Sequence, residues 1–348
     1  MKKQAGKWRL AAVFTVVIAL LSYHTVNWMA EPPAAGKSGQ IAAAETKEPL
    51  PSVSAETKEE TAAQQAPAES KSEQAAETAA QGTVKGKVIS RYLSPYQASL
   101  AYGGVTLKNS TTLAIDLKAL LEEPLSFQLT AGKEPQVLIM HTHTTETYLP
   151  TDSETYTDAY TSRSRDQSKN MVSVGNIVAK KLNDAGIKTL HDTTEHDYPQ
   201  YTGSYTRAAK TIVSYLKKYP SIKIVLDLHR DAISSGENDK IKLVTEIGGK
   251  KAAQVMLVMG SQSGGVTNFP KWRENLKLAV RLQQTLEKKY PTLARPISLM
   301  PKNYNESLTT GSLLIEFGTD ANALAEAHAS AEMVGDALAE TLKKIRAQ

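Results

Sequence analysis

Two histidines and a glutamate follow directly on a run of apolar residues, and side chains of these types bind metal ions. The apolar run covers residues 137–140, and His141, His143 and Glu146 come after it. A short, continuous apolar run is typical of a strand buried on both faces, as in a parallel sheet. Ligands bind at the carboxyl edge of such sheets. Imidazole nitrogens with a carboxylate oxygen suit Zn²⁺, so the sequence predicts a zinc site after this strand.

The same arrangement, a strand followed by a reactive side chain, occurs twice more. Residues 222–228 predict a strand that leads into His229, and residues 312–315 lead into Glu316. If the three strands lie side by side and parallel, their side chains converge at one edge of the sheet. An unpaired carboxylate in an apolar strand is costly. We therefore predict that Glu316 is the general base that activates a zinc-bound water.

The predicted zinc ligands are His141, Glu146 and His229. Two neutral imidazoles and one carboxylate leave an open tetrahedral position for water, as in hydrolytic zinc sites. His143 is two residues after His141 and points the same way in an extended chain, so it is the alternative first ligand. Otherwise His143 orients its neighbours or the oxyanion. For Arg230 two interpretations stay open, binding of a substrate carboxylate or an ion pair with the next residue.

Strands and helices alternate around these residues. Gly248 and Gly249 predict a hairpin between two of the strands, and Ser168 and Gly186 bound the first helix. The alternation predicts an α/β fold, a three-layer sandwich whose mostly parallel or mixed central sheet is flanked by helices. Further strands are predicted at 187–190, 242–247 and 254–259, and further helices at 205–219, 270–290 and 321–345.

The first quarter of the chain differs in composition from the rest. Residues 1–30 place lysines and an arginine before an apolar stretch, which predicts an uncleaved transmembrane signal anchor with a cytoplasmic N-tail; a cleaved signal peptide is the alternative. Residues 31–88 are poor in large aliphatic side chains and predict a disordered low-complexity linker. Residues 89–134 predict an N-terminal extension packed on a main domain at 135–348. The protein is thus expected in the cell membrane, single-pass, with its main domain extracytoplasmic.

Composition excludes several kinds of site. The chain has 348 residues and no cysteine, so disulfides and thiolate ligands are excluded and a metal must be held by the seven histidines or by carboxylates. The formal net charge is +5. No basic run with interleaved aromatic residues is present, so nucleic acid is not an expected partner, whereas an anionic polymer is compatible with the charge. The motifs G-x-S-x-G and H-E-x-x-H are absent.

Three motifs in order resemble the stage II sporulation protein P family of endospore-forming bacteria. They are His141-Thr-His143-Thr-Thr-Glu146-Thr-Tyr148, Asp227-Leu-His229-Arg230-Asp231-Ala232 and Leu-Ile-Glu316-Phe-Gly. The resemblance implies a zinc-dependent peptidoglycan hydrolase of the N-acetylmuramoyl-L-alanine amidase type, also credited with endopeptidase activity and acting in engulfment. Residues 135–348 would be its catalytic domain. The resemblance further implies peptidoglycan as substrate and stage II sporulation proteins D and M as partners.

The sequence also departs from the general amidase pattern. Amidases place Gly-His-Gly-Gly after the first strand, whereas this chain has His-Thr-His, so the choice of His141 or His143 as first ligand stays open. Glu316 is followed six residues later by Asn322, as in the amidases, which implies that Glu316 is the catalytic carboxylate. A tethered, non-catalytic wall-binding or scaffolding protein is the alternative from another class. A zinc hydrolase for other extracytoplasmic amides or acetyl groups is a third.

Overall fold

The structure, a computed structural model, describes residues 82–130 and 132–345. The predicted anchor at 1–30 and residues 31–81 of the predicted linker lie outside this part of the chain. The first strand begins at Val84 and continues to Arg91, so it crosses the predicted boundary between linker and extension. Among the described residues, no helix combines the length and the apolar character needed to cross a bilayer.

Strands and helices alternate through the described residues, as the sequence predicts. The strands are β1 (Val84–Arg91), β2 (Leu100–Tyr102), β3 (Val105–Asn109), β4 (Val137–Met140), β5 (Thr155–Thr157), β6 (Thr189–His191), β7 (Ile224–Asp231), β8 (Ser234–Ser235), β9 (Asp239–Ile247), β10 (Lys250–Ala253), β11 (Val255–Gly260), β12 (Ile297–Met300) and β13 (Ser312–Thr319). The helices are α1 (Leu117–Glu122), α2 (Met171–Asp184), α3 (Ser204–Lys218), α4 (Trp272–Lys289) and α5 (Leu324–Lys343). Short 3-10 turns lie at Pro95–Gln97 and Glu306–Leu308.

The main sheet has the strand order β2-β3-β12-β11-β13-β7-β4-β6. The strands β13, β7, β4 and β6 are successive parallel neighbours, with β6 at the edge of the sheet. β11 joins β13 in the antiparallel direction, and β2 does the same with β3 at one edge. A mixed sheet in an α/β fold is therefore confirmed.

Alternating side chains of the central strands pack against helices on both faces of the sheet. Ile139 on β4 and Leu228 on β7 belong to one buried cluster together with residues of α2, α4 and α5. Leu138 and Met140 belong to a second cluster with Ile212 of α3. Complete burial of each such side chain stabilises the fold by about 1.5–3 kcal/mol. Because both faces are covered, the strands read as continuous apolar runs in the sequence.

A second sheet has the order β10-β9-β1-β5, with β8 also paired to β9. Its hairpin turns at Gly248 and Gly249, which both have positive φ, as predicted. The predicted second strand of this hairpin is wrong, because β9 pairs with Lys250–Ala253 and β11 joins the main sheet instead. The pattern Lys-Lys-Ala-Ala carries little apolar signal for a strand.

The cap of α2 also differs from the prediction. Asn170, not Ser168, is the N-cap residue, and its side chain accepts a hydrogen bond from the backbone N of Val172 at 3.0 Å. Asn and Ser serve equally well in this role. The polar run before the helix offers both, so spacing alone does not select between them.

Candidate active site

Strands β4, β7 and β13 end at the same edge of the main sheet. β7 lies between the other two, and all three run parallel. In this register Glu316 is the direct neighbour of His229, and Met140 is the neighbour of Asp227. The loop after β4 begins at His141 and leaves from the same edge. The structure therefore brings the carboxyl ends of the three strands together, as the sequence predicts.

His229 lies between two carboxylates at this edge. Its Nδ1 is 3.6 Å from Glu146 Oε2, and its Nε2 is 2.9 Å from Asp227 Oδ1. The second pair is close without being aligned as a hydrogen bond. Burial opposes protonation of the ring, but the charge of Asp227 and its contact with the ring outweigh burial and raise the pKa of His229 well above its usual value. Without a metal, His229 therefore carries a positive charge.

Glu146 is buried beside His229 and stays ionised. The backbone N of Arg230 donates to its Oε2 at 3.2 Å. Guanidinium nitrogens of Arg163 and Arg230 each lie 3.8 Å from its Oε1. Burial raises the pKa of this carboxyl, but Arg230 and His229 together outweigh burial and hold it well below the usual range. A buried carboxylate that is ionised at neutral pH is a suitable oxygen donor for a cation.

Arg230 is buried, and its guanidinium bonds the protein itself. It donates to the backbone carbonyls of Thr147, Ser162 and Asp231 at 3.2, 2.8 and 3.4 Å. These bonds place its charge beside Glu146. Contact of Arg230 with a substrate carboxylate stays a prediction. In this structure the guanidinium of Arg230 positions the loop that carries Glu146.

Glu316 is a carboxyl with an unusually high proton affinity. Its side chain is 7% exposed, and within the described part of the chain its Oε2 has no hydrogen-bond partner. Burial, followed by repulsion from Asp231, raises its pKa to about 8, although the charge of His229 opposes the rise. Proton affinity near neutral pH is what a general acid and base requires.

His143 lies next to His229. The two rings meet edge to face with centroids 5.2 Å apart, and the other side of His143 stacks on Tyr201 at 4.5 Å. Burial is the main cause that lowers the pKa of His143 to about 3. The ring is therefore neutral at physiological pH. Its Nε2 is 3.1 Å from the hydroxyl of Tyr201, and its Nδ1 is 3.4 Å from Oγ of Ser204.

His141 has different surroundings. Its Nδ1 donates to the carbonyl of Leu228 at 3.0 Å, and its Nε2 is 2.8 Å from Nε2 of His191. A Cβ atom at Gly175 of α2 would lie 2.8 Å from the same Nε2, so this ring faces α2. Burial, followed by the neighbouring His191, lowers the pKa of His141 to about 3. The structure thus brings His143, Glu146, His229 and Glu316 together and places His141 against His191.

The chain matches a family model over most of its length. The model of Stage II sporulation protein P matches residues 24–339. The chain belongs to this family. Stage II sporulation protein P of Bacillus subtilis (strain 168) is 30% identical over 223 residues, which cover 61% of this chain and 52% of that protein. The chain thus matches about half the length of this curated relative.

Several solved structures of amidases are similar to the chain at low identity. The CwlD amidase of Clostridioides difficile in complex with the GerS lipoprotein is 11% identical and covers 60% of this chain and 98% of its own, with a TM-score of 0.37. An N-acetylmuramoyl-L-alanine amidase from Clostridium difficile 630 is 17% identical over 61% of this chain and 95% of its own, with a TM-score of 0.35. TM-scores below 0.5 do not establish a shared fold, so family membership rests on the sequence.

Buried polar atoms without hydrogen-bond partners test whether the site suits a metal. Within the described residues these are Glu146 Oε1, His229 Nε2, Glu316 Oε2, Glu306 Oε1 and Asp320 Oδ1. The first three lie at the edge where β4, β7 and β13 end. Glu146 offers an oxygen donor of the kind that zinc takes. Nε2 of His229 lies against Asp227, so Nδ1, on the side of Glu146, is the ring nitrogen that a metal could reach. As they stand, no three His, Asp or Glu side chains of the described chain are arranged to hold an ion. The types of donor atom at this edge are nevertheless those that zinc takes.

Several residues of this site were not predicted. Asp227, Tyr201 and Arg163 contact His229, His143 or Glu146 directly. Asp227 has a detectable signal, because a residue two positions before His229 on a strand shares its face. The other two come from loops, whose direction the sequence does not specify.

Proposed function

We propose that this protein is a zinc-dependent peptidoglycan hydrolase that cleaves the amide between N-acetylmuramic acid and L-alanine of the stem peptide during engulfment in endospore formation. Family membership supports a role in sporulation. The observation that carries the chemistry is the pairing of Glu316 with His229 across two parallel strands, beside the ionised Glu146. A buried acid and base next to nitrogen and oxygen donors is the arrangement that metal-assisted amide hydrolysis needs.

The zinc would be held by His229, Glu146 and one of the two histidines that follow β4. Contact with the ring of His229 supports His143 as the first ligand. Both histidines have partners on both ring nitrogens, Tyr201 and Ser204 for His143 and Leu228 and His191 for His141. Bound zinc supplies a Lewis acid that lowers the pKa of water and polarises the amide carbonyl.

Glu316 takes a proton from the attacking water and later delivers it to the amino group of the departing L-alanine. Its pKa of about 8 in the metal-free protein falls when a cation lies nearby, so the carboxylate form is available for the first step. Arg230 keeps Glu146 in place, because its backbone N donates to Oε2 of Glu146 and its Nε donates to the carbonyl of Thr147. The burial of His143, Glu146 and His229 excludes bulk water, which strengthens every charge interaction at the site.

The biological setting is part of the proposal. Residues 1–30 would anchor the protein in the cell membrane, with the catalytic domain outside the cytoplasm. Stage II sporulation proteins D and M would be its partners, and endopeptidase activity would accompany the amidase activity. These expectations come from the resemblance of the motifs to the family, and they stay predictions.

Mass spectrometry of digested sacculi tests the activity. The full chain is incubated with purified sacculi, with and without a chelator, and the released peptides are analysed. We expect free stem peptides that begin with L-alanine, lost with chelator and with Glu316→Gln. Glu306→Gln is the matched control, because Glu306 is also a buried carboxyl but accepts from the backbone N of Gly260 instead of facing His229.

Other products would point to other functions. Sacculus binding that survives chelator, without new amino groups, would replace the hydrolase by a wall-binding protein. Release of acetate or of other amines would indicate a zinc hydrolase with a different substrate.

A further inference from the structure

Asp227 is a buried carboxylate that contacts both histidine-bearing segments of the candidate active site. It lies two residues before His229 on β7, so both side chains leave the strand on the same face. Its Oδ1 is 2.9 Å from Nε2 of His229. Thr142 donates to it twice, from the backbone N to Oδ1 at 2.8 Å and from Oγ1 to Oδ2 at 2.6 Å. One carboxylate therefore links the imidazole of His229 to the loop between His141 and His143.

This contact decides which nitrogen of His229 faces the other donors. With Nε2 toward Asp227, Nδ1 lies 3.6 Å from Oε2 of Glu146. A half-turn of the ring would put carbon atoms against both carboxylates and lose both interactions. In metal sites, the nitrogen that does not bind the metal commonly donates to a carboxylate, which fixes the tautomer and the direction of the ring.

We propose that Asp227 is a positioning residue that holds the ring of His229 so that Nδ1 is the nitrogen presented to the metal. This inference rests on the proposed function, in which His229 is a zinc ligand. Asp227 acts on the metal through His229 and fixes the neighbouring loop through Thr142. The opposing interpretation is that Asp227 only ties the loop after β4 to β7 and has no effect on the ring of His229. The following experiment distinguishes these two roles.

The test uses the full chain labelled with ¹⁵N-histidine and its variant Asp227→Asn. In the metal-free wild type we expect Nε2 of His229 to carry a proton that exchanges slowly, and we expect Asp227→Asn to change that signal. Zinc affinity, measured by competition with a chelator, should fall about 10- to 100-fold in Asp227→Asn. Thr142→Val is the control, because it removes one bond between Asp227 and the loop after β4 and leaves the contact with His229; the proton signal of His229 should be unchanged.

The outcomes are distinct. Wild-type zinc affinity in Asp227→Asn with an unchanged His229 signal would overturn the inference and leave the hydrolase proposal intact. A wild-type protein that binds no zinc would remove the proposed function first, and the inference with it. If Asp227→Asn does not fold, the wild-type spectrum decides, because an unprotonated Nε2 on His229 would contradict the proposed role.

Discussion

Glu316→Gln should stabilise the metal-free protein at neutral pH while abolishing hydrolysis. Burial raises the pKa of Glu316 from 4.5 to about 8. Between these values the unfolded chain has released the proton and the folded protein still holds it. The folded state therefore loses stability as pH rises from about 4.5 to about 8, and below this window the effect vanishes. Glutamine keeps the shape of the protonated acid and does not ionise, so it removes the loss.

The magnitude follows from the width of the pH window. Each pH unit within it lowers the free energy of unfolding by about 1.4 kcal/mol, so the penalty at pH 7 is at most about 3.5 kcal/mol. Relaxation around an ionised Glu316 reduces this, and we expect a gain of about 1–3 kcal/mol for the variant at pH 7. For a domain of this size, that corresponds to a rise in Tm of about 3–8 °C.

Thermal and urea unfolding of the full chain in chelator, at several pH values from 5 to 8, measures the effect. We expect the difference between the variant and the wild type to be small near pH 5 and to grow toward pH 8. A difference independent of pH, or a variant less stable at pH 7, would refute the assigned protonation of Glu316. Glu306→Gln is again the control, because burial also raises the pKa of Glu306 well above its usual value; it should gain stability and keep hydrolysis.

Three further predictions concern the remaining contacts of the site. His229→Ala should lose zinc and activity together, and equal zinc content by elemental analysis in both proteins would remove the site as drawn. Arg230→Lys should lower the free energy of unfolding by about 2–4 kcal/mol and displace Glu146, since lysine cannot bond the same carbonyls; unchanged urea stability with a raised KM would instead show a substrate contact. Gly175→Ala should lower Tm, since the added Cβ would lie 2.4 Å from Nε2 of His191. The expected loss in the free energy of unfolding is about 1–3 kcal/mol. An unchanged Tm would show that the ring of His191 moves freely.

The strands that carry the site could be predicted because they are buried on both faces. β4 is a continuous apolar run, and β7 and β13 each begin with mostly apolar residues. Parallel strands end at the same edge, so the meeting of His229 with Glu316 follows from the pattern. The contact of Arg230 with backbone carbonyls does not follow, because it depends on loops. The sequence does not show whether a charged side chain next to a histidine, such as Arg230 next to His229, contacts substrate or another part of the protein.

The positions of His141 and His143 show where the two-residue alternation of side chains in a strand stops predicting their direction. The prediction that both point the same way assumes an extended chain after Met140. In the structure β4 ends at Met140, and residues 142–145 form turns, so the alternation of side chains stops there. The two rings consequently have different neighbours, His191 for one and His229 for the other.

The buried charges at the edge where β4, β7 and β13 end favour binding of a cation there more than they favour stability of the fold. Glu146 is compensated by Arg230, and Asp227 by Thr142 and His229. Within the described residues, Oε2 of Glu316 has no hydrogen-bond partner, and the raised pKa means that this carboxyl keeps its proton. On stability alone, an apolar residue beside the apolar core of β13 would serve better, since a buried carboxyl with an unsatisfied oxygen is costly. A cation held by the neighbouring donors would offset that cost, which is the physical reason to place the chemistry here.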